Sequence, residues 1–292
     1  MQTKSVISIH SQVAYGHVGN AAAVFPLQRL GFEVWPVMTV QLSNHPGYGD
    51  FGGGALPEAA LRDLLDGLAR RGVLAGCDGL LTGYLGNAAL GAAVFETAAK
   101  IKRDNPGALF LCDPVMGDRD ENGAGRLYVD PAIPELLRAE ALPRADVVTP
   151  NLFELETLSG TEVHSAEEAL AAARGLIAQG PRLVLVTSLS FEGIPGSEIG
   201  MLLASAEQAW EVVTPRIAFA QEPHGAGDLA AALLLGHLLL GRRPEEALAR
   251  LAAALSRLLE RTAECGGGEL ALVAAQEDFS GERNRPEIRR LG

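Results

Sequence analysis

Short apolar runs alternate with helical patterns along most of this chain, and this alternation limits the fold more than any other feature. The strand candidates are residues 6–9, 32–40, 78–82, 108–112, 146–149 and 183–187, and the helix candidates are residues 21–30, 56–71, 88–103, 166–179 and 229–235. Strands that alternate with helices predict an α/β fold, in which helices cover both faces of a mostly parallel central sheet. Ligands bind such sheets at the carboxyl ends of the strands. Two further runs, 201–204 and 210–213, indicate an antiparallel pair near the sheet edge.

The length and composition suit a single domain. The chain has 292 residues, of which 48% are hydrophobic, and this is enough for one α/β domain with a large aliphatic core. No internal repeat or interdomain linker is visible, so residues 1–292 are predicted to form one domain. Only the tail from about residue 276, which is charged and interrupted by proline, is predicted to be peripheral.

Charge and cysteine content exclude several kinds of partner. The 36 acidic and 24 basic residues give a net charge of −12, which argues against binding nucleic acid over a wide area. Cys77, Cys112 and Cys265 lack the paired spacing of a zinc site or a disulfide framework, so we expect reduced thiols and a cytoplasmic protein. No apolar stretch is long enough to span a bilayer, and no membrane partner is expected.

The run from His224 to Asp228 places two glycines in a tight turn directly before an Ala/Leu-rich helix. Backbone N–H groups and the positive end of that helix then point at one spot, which suits a phosphate. Two interpretations of Asp228 stay open. It caps the helix by accepting hydrogen bonds from first-turn amides, or it is a base that removes a proton from a hydroxyl while the amides hold the phosphoryl group.

Polar residues also follow the predicted strands, and two clusters carry specific chemistry. Asp113 ends a buried strand, directly before Pro114. Asn151 and Glu154 are three residues apart and lie on one face of a helical first turn. Carboxylate and amide oxygens suit Mg²⁺, which takes few protein ligands beside substrate phosphates. A capping box is the alternative for Asn151 and Glu154, and the two functions are compatible.

Together these segments resemble pyridoxal kinases, which belong to the ribokinase-like superfamily. The shared motifs run over nearly the whole chain: YGHVGN from Tyr15, TVQLSNH from Thr39, CDPVMGD from Cys112, TPNLFELETLSG from Thr149 and GAGDL from Gly225. The first two are the most specific to pyridoxal kinases. The resemblance implies a three-layer α/β/α fold with a mostly parallel central sheet. It also implies ATP-dependent phosphorylation of the 5′-hydroxymethyl group of pyridoxal, with pyridoxine and pyridoxamine as further candidates, in vitamin B6 salvage.

The resemblance further implies roles for individual residues. The implied catalytic residues are Asp228 as the base and Gly225, Ala226 and Gly227 as the anion-holding turn. The implied substrate-binding residues are Ser11, Val18, Leu42, His45, Pro46, Gly47, Tyr84 and Asp228. The implied ATP-binding residues are Asp113, Asp118, Tyr128, Thr149, Asn151, Glu154, Thr187, Ser188, Val213, Thr214, Pro215 and Arg216. The implied ligands of Mg²⁺ or of a monovalent cation such as K⁺, partly through water, are Asp113, Thr149 and Glu154. The expected cofactors are ATP and Mg²⁺, the expected partner is a vitamer, and the expected assembly is a homodimer.

Residues 117–129 are similar to the longer lid loop of the eukaryotic-type members. Three glycines and a low apolar content predict a loop that is mobile without ligand and closes over the phosphates. Three positions depart from the family pattern, namely Pro46, Ala226 and Thr187. Each replaces a residue type that supplies a side-chain contact or a charge in many members, so we expect altered affinity rather than lost activity.

Three other functions remain open. A hydroxymethylpyrimidine kinase of the same superfamily typically carries a cysteine at the turn where this chain has Asp228. A sugar kinase is disfavoured because Val18, Leu42 and Tyr84 suit an aromatic ring better than a polyol. A non-catalytic carrier of pyridoxal or pyridoxal 5′-phosphate is disfavoured because the candidate base is intact.

Overall fold

The structure is a computed structural model that describes residues 3–119, 123–191 and 193–291. Its strands are β1 (Ser5–Val13), β2 (Glu33–Leu42), β3 (Gly53–Ala55), β4 (Gly79–Thr82), β5 (Leu109–Cys112), β6 (Gly117–Arg119), β7 (Gly125–Leu127), β8 (Val147–Val148), β9 (Leu183–Leu189), β10 (Glu198–Ala204), β11 (Ala209–Pro215) and β12 (Arg289–Leu291). Its helices are α1 (Asn20–Arg29), α2 (Glu58–Arg70), α3 (Ala88–Asp104), α4 (Ile133–Leu136), α5 (Leu152–Ser159), α6 (Ala166–Ile177), α7 (Ala226–Leu239) and α8 (Pro244–Glu264).

The main sheet of the described residues has ten strands in the order β12-β11-β10-β9-β8-β5-β4-β1-β2-β3. The strands from β9 to β2 in this order pair in parallel, and the antiparallel pairs lie toward the two edges. This confirms the α/β fold with a mostly parallel sheet that the alternation predicts. The antiparallel pair predicted near the sheet edge is also confirmed, as β10 and β11.

Side chains of the central strands alternate between two apolar layers, because successive residues of a strand point to opposite faces. Val6 packs with α1, α7 and α8, whereas the next residue, Ile7, packs on the other face with α2 to α6. Helix α7 is apolar around its whole circumference because it lies between the sheet and the helices α1 and α8. Its first turn lies beside the loop that follows β1.

The C-terminal tail is less peripheral than the sequence predicts. Phe279 is buried against Phe25, with ring centroids 6.0 Å apart, and β12 pairs with β11 as the last strand of the sheet. A single apolar residue among charges gives no periodic pattern, so the sequence analysis missed this contact. Helix α8 was also not predicted from the sequence. No helix within the described ranges combines the length and the apolar character needed to cross a membrane.

Candidate active site

The carboxyl ends of the parallel strands bring several predicted residues to the first turn of α7. Asp228 is the third residue of this helix, and its Oδ2 accepts a hydrogen bond from the Gly19 amide at 2.7 Å. Its Oδ1 lies 2.9 Å from His10 Nε2, although the ring N–H is not aimed straight at that oxygen. The N-cap residue of α7 is Gly225, three positions before Asp228, so the interpretation of Asp228 as an N-cap is wrong. The carboxylate instead faces the loop after β1.

His10 is a buried residue of β1 that the sequence analysis missed as part of the site. Its Nδ1 accepts hydrogen bonds from the amides of Ser11, at 2.8 Å, and of Tyr84, at 3.2 Å. An accepting ring nitrogen carries no proton, so the proton of the neutral ring is on Nε2, on the side of Asp228. The ring also lies over Gly83, where a Cβ would come within 1.8 Å of Nε2. The available signal was a titratable residue inside a buried strand whose other residues are uncharged.

Asp113, directly after β5, is buried close to this pair. Its Oδ1 accepts a hydrogen bond from Thr149 Oγ1 at 2.9 Å, and ligand atoms of Asp113, His10 and Asp228 lie within 4.8 Å of one another. Burial, and then the neighbouring Asp228 carboxylate, raise the pKa of Asp113 to about 7. Burial also opposes ionisation of Asp228, but the His10 ring and the Gly19 amide outweigh it and lower the pKa of Asp228. Asp228 is therefore the ionised carboxylate at neutral pH.

His10, Asp113 and Asp228 have the residue types of a metal site, but the hydrogen bonds of the histidine argue against one. A neutral histidine binds a metal through the nitrogen that carries no proton. In His10 that nitrogen is Nδ1, which already accepts two backbone amides. Moving the proton from Nε2 to Nδ1 would direct it against both N–H groups. We therefore assign no metal to His10.

Glu154 caps its own helix, as one of the two compatible interpretations predicts. Its carboxylate accepts hydrogen bonds from the amides of Met116 and Asn151, both at 2.9 Å, and the Asn151 side chain accepts one from the Glu154 amide. This confirms the capping box of α5. Both Glu154 oxygens are engaged, whereas Asp113 uses Oδ1 toward Thr149. Asp113 and Thr149 thus fit direct contact with a hard cation, and Glu154 fits contact through water.

The two-glycine turn before α7 packs against the loop after β1. Gly225 has a φ of 95°, and a Cβ at this position would lie 1.9 Å from the carbonyl oxygen of His17. Any side chain here would separate the turn from the loop, so the packing requires glycine. The position of Gly227 is open, with room for a ligand at first-turn amides that have no partner within the helix. This geometry fits the predicted anion site.

The residues implied for the pyridine ring of a vitamer come from five segments of the chain. They are Ser11, Val18, Leu42, His45, Pro46, Gly47 and Tyr84, from β1, the loop before α1, the end of β2, the turn after β2 and the loop after β4. Ser11 and Tyr84 are held by one ring, because both amides donate to His10 Nδ1. The turn after β2 is placed by His45, which stacks on His224 with ring centroids 3.7 Å apart.

His45 is suited to contact a neutral aromatic ligand. Burial, and then the neighbouring His224, lower the pKa of His45, so its ring is largely neutral at neutral pH. A Cβ at Gly47 would lie 2.8 Å from His45 Nδ1 and 2.9 Å from His224 Nε2, so a glycine lets the rings approach. His224 begins the run that contains the glycine turn, but no role for its side chain was predicted from the sequence.

A cleft between strands β9 to β11 and the helices α7 and α8 fits the nucleotide. Its predicted lining residues are Thr187, Ser188, Thr214, Pro215, Arg216, Ala226 and Gly227. The apolar part of its wall, which the sequence analysis missed, includes Ile199, Met201, Phe219, Leu255 and Leu259. Val213 does not line the cleft. Side chains alternate along β11, so Val213 points to the opposite face from Thr214.

The lid segment differs from the prediction. Strands β6 and β7 form an antiparallel hairpin that packs on Phe153 of α5. A Cβ at Gly117 would lie 2.3 Å from the Phe153 ring, and a Cβ at Gly125 would lie 2.4 Å from it. Another helix thus supplies one apolar partner for the hairpin, but residues 118–119 and 125–128 are exposed, and mobility without ligand stays a prediction. Residues 120–122 of the predicted lid lie outside the described residues.

Asp118 of β6 and Tyr128, directly after β7, are both exposed. Asp118 Oδ1 accepts a hydrogen bond from the Arg119 amide at 2.8 Å. The Arg119 guanidinium pairs with Glu156 at 2.5 Å instead of with Asp118. Arg119 is therefore not available to neutralise Asp118. If Asp118 lies near a phosphate, a bound cation has to offset its charge.

Comparison with known proteins agrees with this arrangement. The chain matches the family model described as phosphomethylpyrimidine kinase over residues 73–272. It is 50% identical to pyridoxal kinase PdxY of Rubrobacter xylanophilus, over 98% of this chain and 97% of that protein. It is 46% identical to pyridoxal kinase PdxY of Deinococcus radiodurans, over 96% and 94% of the two chains. The pyridoxal kinase of Leishmania donovani, solved in complex with ADP and pyridoxamine, matches 99% of this chain and 100% of its own with a TM-score of 0.89 and 31% identity.

The chain belongs to the pyridoxal kinase family. The ribokinase-like three-layer fold that the resemblance implies is confirmed by the sheet order and by this structural match. In this pyridoxal kinase family member, three polar residues beyond those predicted also take part in the site. His10 lies against Asp228, His224 stacks on His45, and Glu269 contacts the loop before α1.

Proposed function

We propose that the chain transfers the γ-phosphoryl group of ATP to the 5′-hydroxymethyl group of pyridoxal, and of pyridoxine and pyridoxamine, in vitamin B6 salvage. The observation that carries this proposal is the position of Asp228. Its ionised carboxylate contacts His10 and the Gly19 amide and lies beside the open amino end of α7. A base and an anion-holding turn at one point are what transfer of a phosphoryl group to an alcohol requires.

Each step follows from the chain's own groups. Asp228 accepts the proton of the substrate hydroxyl as that oxygen bonds to the γ-phosphorus, and ADP leaves with the electrons of the broken P–O bond. The first-turn amides, from Ala226 and Gly227 onward, hold the phosphoryl oxygens while the charge redistributes. Positioning and charge neutralisation supply most of the catalysis in such transfers. His45 and Tyr84 hold the vitamer ring.

Mg²⁺ neutralises the charge of the ATP phosphates when it is bound. Asp113 and Thr149 are the groups of this chain that would approach it, and Glu154 would order its water. K⁺ is a second candidate for the same oxygens. The adenine ring of ATP occupies the cleft beside Thr214 and Arg216.

The direct test is a kinase assay with the purified protein, Mg²⁺ and ATP. Pyridoxal, pyridoxine and pyridoxamine are supplied one at a time, and hydroxymethylpyrimidine and ribose serve as comparison acceptors. Phosphorylated product is separated by chromatography, and K⁺ and Mg²⁺ are omitted in turn. We expect phosphorylation of at least pyridoxal that depends on Mg²⁺. No product from any vitamer would contradict the proposal.

Hydroxymethylpyrimidine is a second candidate substrate, because the matching family model is described by a phosphomethylpyrimidine kinase. The turn argues against it, since this chain has Asp228 where such kinases typically carry cysteine. Competition between pyridoxal and hydroxymethylpyrimidine in one reaction decides between the two. A preference for the pyrimidine would replace the first proposal by the second.

The assembly and the compartment are also part of the proposal. The family resemblance supports a homodimer, which sedimentation of the purified protein tests. All three cysteines are free, which supports a reducing compartment, and we place the protein in the cytoplasm. Fluorescence microscopy of a tagged copy tests this placement.

A further inference from the structure

Glu269 lies in the segment that follows α8 and joins two loops on the vitamer side of the site. Its Oε2 accepts a hydrogen bond from the His17 amide at 2.9 Å. Its Oε1 accepts a hydrogen bond from the Tyr48 hydroxyl. One carboxylate from the C-terminal part of the chain therefore holds both the loop before α1 and the turn after β2.

The contact with the first loop is closer than that of an ordinary surface pair. A Cβ at Gly16 would lie 2.4 Å from Glu269 Oε1, so this glycine lets the carboxylate reach the backbone. The His17 ring lies 3.8 Å from Oε2, but burial lowers the pKa of His17 despite the attraction of Glu269, and the ring is largely neutral. Among the described residues, the groups that hold the Glu269 carboxylate are thus neutral donors, namely the His17 amide and the Tyr48 hydroxyl. Hydrogen bonds to an ionised acceptor fix geometry more strongly than neutral ones.

The loop before α1, which contains His17, also contacts the base, Asp228. The carbonyl oxygen of His17 fills the space that a Cβ at Gly225 would need, so the loop packs on the turn before α7. Two residues further on, the Gly19 amide donates to Asp228 Oδ2 at 2.7 Å. A displacement of His17 would therefore move a hydrogen-bond donor of Asp228.

The second contact of Glu269 reaches the turn after β2, another segment implied in vitamer binding. Tyr48 ends the turn that contains Pro46 and Gly47. This turn follows His45, whose ring stacks on His224 directly before the glycine turn. Tyr48 thus connects Glu269 to the segment that carries three of the residues implied in vitamer binding.

We propose that Glu269 is a positioning residue that holds the vitamer-side loops, residues 16–19 and 45–48, in place against Asp228. This rests on the proposed function, because it assigns these loops to the vitamer rather than to ATP. The residues that line the nucleotide cleft are separate from those that Glu269 contacts. Loss of Glu269 should therefore impair use of the vitamer and spare the use of ATP.

The kinetic test compares Glu269→Ala, Glu269→Gln and Tyr48→Phe. The matched control is Glu264→Gln, because Glu264 is an exposed glutamate of the same region that pairs with Arg261. Pyridoxal is varied at saturating ATP, and ATP is varied at saturating pyridoxal.

Glu269→Ala should lower kcat/KM for pyridoxal roughly 10- to 100-fold, because the two lost hydrogen bonds act on the vitamer only through the loops they hold, and only part of their free energy reaches the transition state. The KM for ATP should change by roughly twofold or less, since its binding contacts remain. Glu269→Gln keeps an acceptor oxygen and should recover most of the loss. Tyr48→Phe removes the hydroxyl that contacts Glu269 and, at 3.4 Å, the Gly268 carbonyl, but it keeps the contact of Glu269 with the His17 amide and should show a smaller loss than Glu269→Ala.

Hydrogen exchange gives a readout that does not need activity. Glu269→Ala should speed exchange in both loops, whereas Tyr48→Phe should speed it in residues 45–48 only, and neither should change α5. Equal losses for pyridoxal and ATP, wild-type kinetics in Glu269→Ala, or release of only one loop in that variant would overturn the proposal. If Glu269→Ala does not fold, Tyr48→Phe and Glu269→Gln decide by the same criteria. A wild-type protein inactive toward every vitamer would refute the proposed function, while exchange would still decide whether Glu269 holds the loops.

Discussion

Substitutions of His10 can separate its contact with the base, Asp228, from its hydrogen bonds to the backbone, because its two ring nitrogens have different partners. Nδ1 accepts the amides of Ser11 and Tyr84, and Nε2 lies 2.9 Å from Asp228. In His10→Asn, the side-chain oxygen can replace Nδ1, but the side chain is too short to reach Asp228. In His10→Gln, the amide nitrogen can replace Nε2, while the two backbone amides lose their acceptor.

The two variants should therefore differ in how much they lower kcat and how much they lower the free energy of unfolding. His10→Asn removes the 2.9 Å contact of the ring with the Asp228 carboxylate, for which a hydrogen bond to a charged group, about 1.5–3 kcal/mol, is the upper bound. If all of this acts on the transition state, kcat falls roughly 10- to 150-fold. His10→Gln leaves two buried amides unpaired at about 1–3 kcal/mol each. Its free energy of unfolding should therefore fall by roughly 2–6 kcal/mol, although its kcat is closer to that of the wild type.

The assay pairs kcat at saturating pyridoxal and ATP with urea unfolding followed by circular dichroism. Gly83→Ala is an independent check, because its Cβ would lie 1.8 Å from His10 Nε2 and would displace the ring. This variant should lower kcat in the wild-type background and add little to His10→Asn, since both remove the same contact. Wild-type kcat in His10→Asn, together with a folded but inactive His10→Gln, would refute this account of His10.

Two further predictions concern stability and the lid. Burial, and then the neighbouring Arg250 and Arg242, lower the pKa of His237 to about 4. Between that value and the unfolded pKa near 6.5, only the unfolded chain binds the proton, so acidification through this window should remove about 3 kcal/mol of stability. His237→Leu should lose this dependence in unfolding curves measured across the window, and an unchanged dependence would contradict the assignment. Phe153→Ala should release the hairpin and raise the ratio of ATP hydrolysis without vitamer to phosphoryl transfer, which is measured by phosphate release. An unchanged ratio would mean that the hairpin does not exclude water.

Features that depend on local spacing could be predicted from the sequence. The alternation of strands and helices gives the parallel sheet, and the spacing of Asn151 and Glu154 gives the capping box that the structure contains. Asp113 and Thr149 could be brought together because both end parallel strands that are neighbours in the sheet. In each case the deciding contact lies within one element or follows from one topological rule.

Features that depend on distant partners could not be predicted in this way. His10 is the one titratable residue of β1, and its role depends on Asp228, which lies far along the chain. Glu269 follows a glycine run with no periodic pattern, and its partners are in the first part of the chain. The hairpin was expected to be loosely packed because its apolar contact, Phe153, belongs to another helix. The direction of Val213 depends on which face of β11 borders the cleft.

The central claim is that Asp228 is the base for phosphorylation of the vitamer, and Asp228→Asn tests it most directly. The substitution keeps the size of the side chain and an oxygen that accepts the Gly19 amide, but it removes the charge that receives the proton. The measurement is kcat with pyridoxal at saturating ATP, together with calorimetric titration of ATP. We predict a loss of kcat of roughly 10²–10⁴-fold, the usual contribution of a positioned general base, with ATP affinity little changed. Turnover comparable to that of the wild type in the folded variant would contradict the claim.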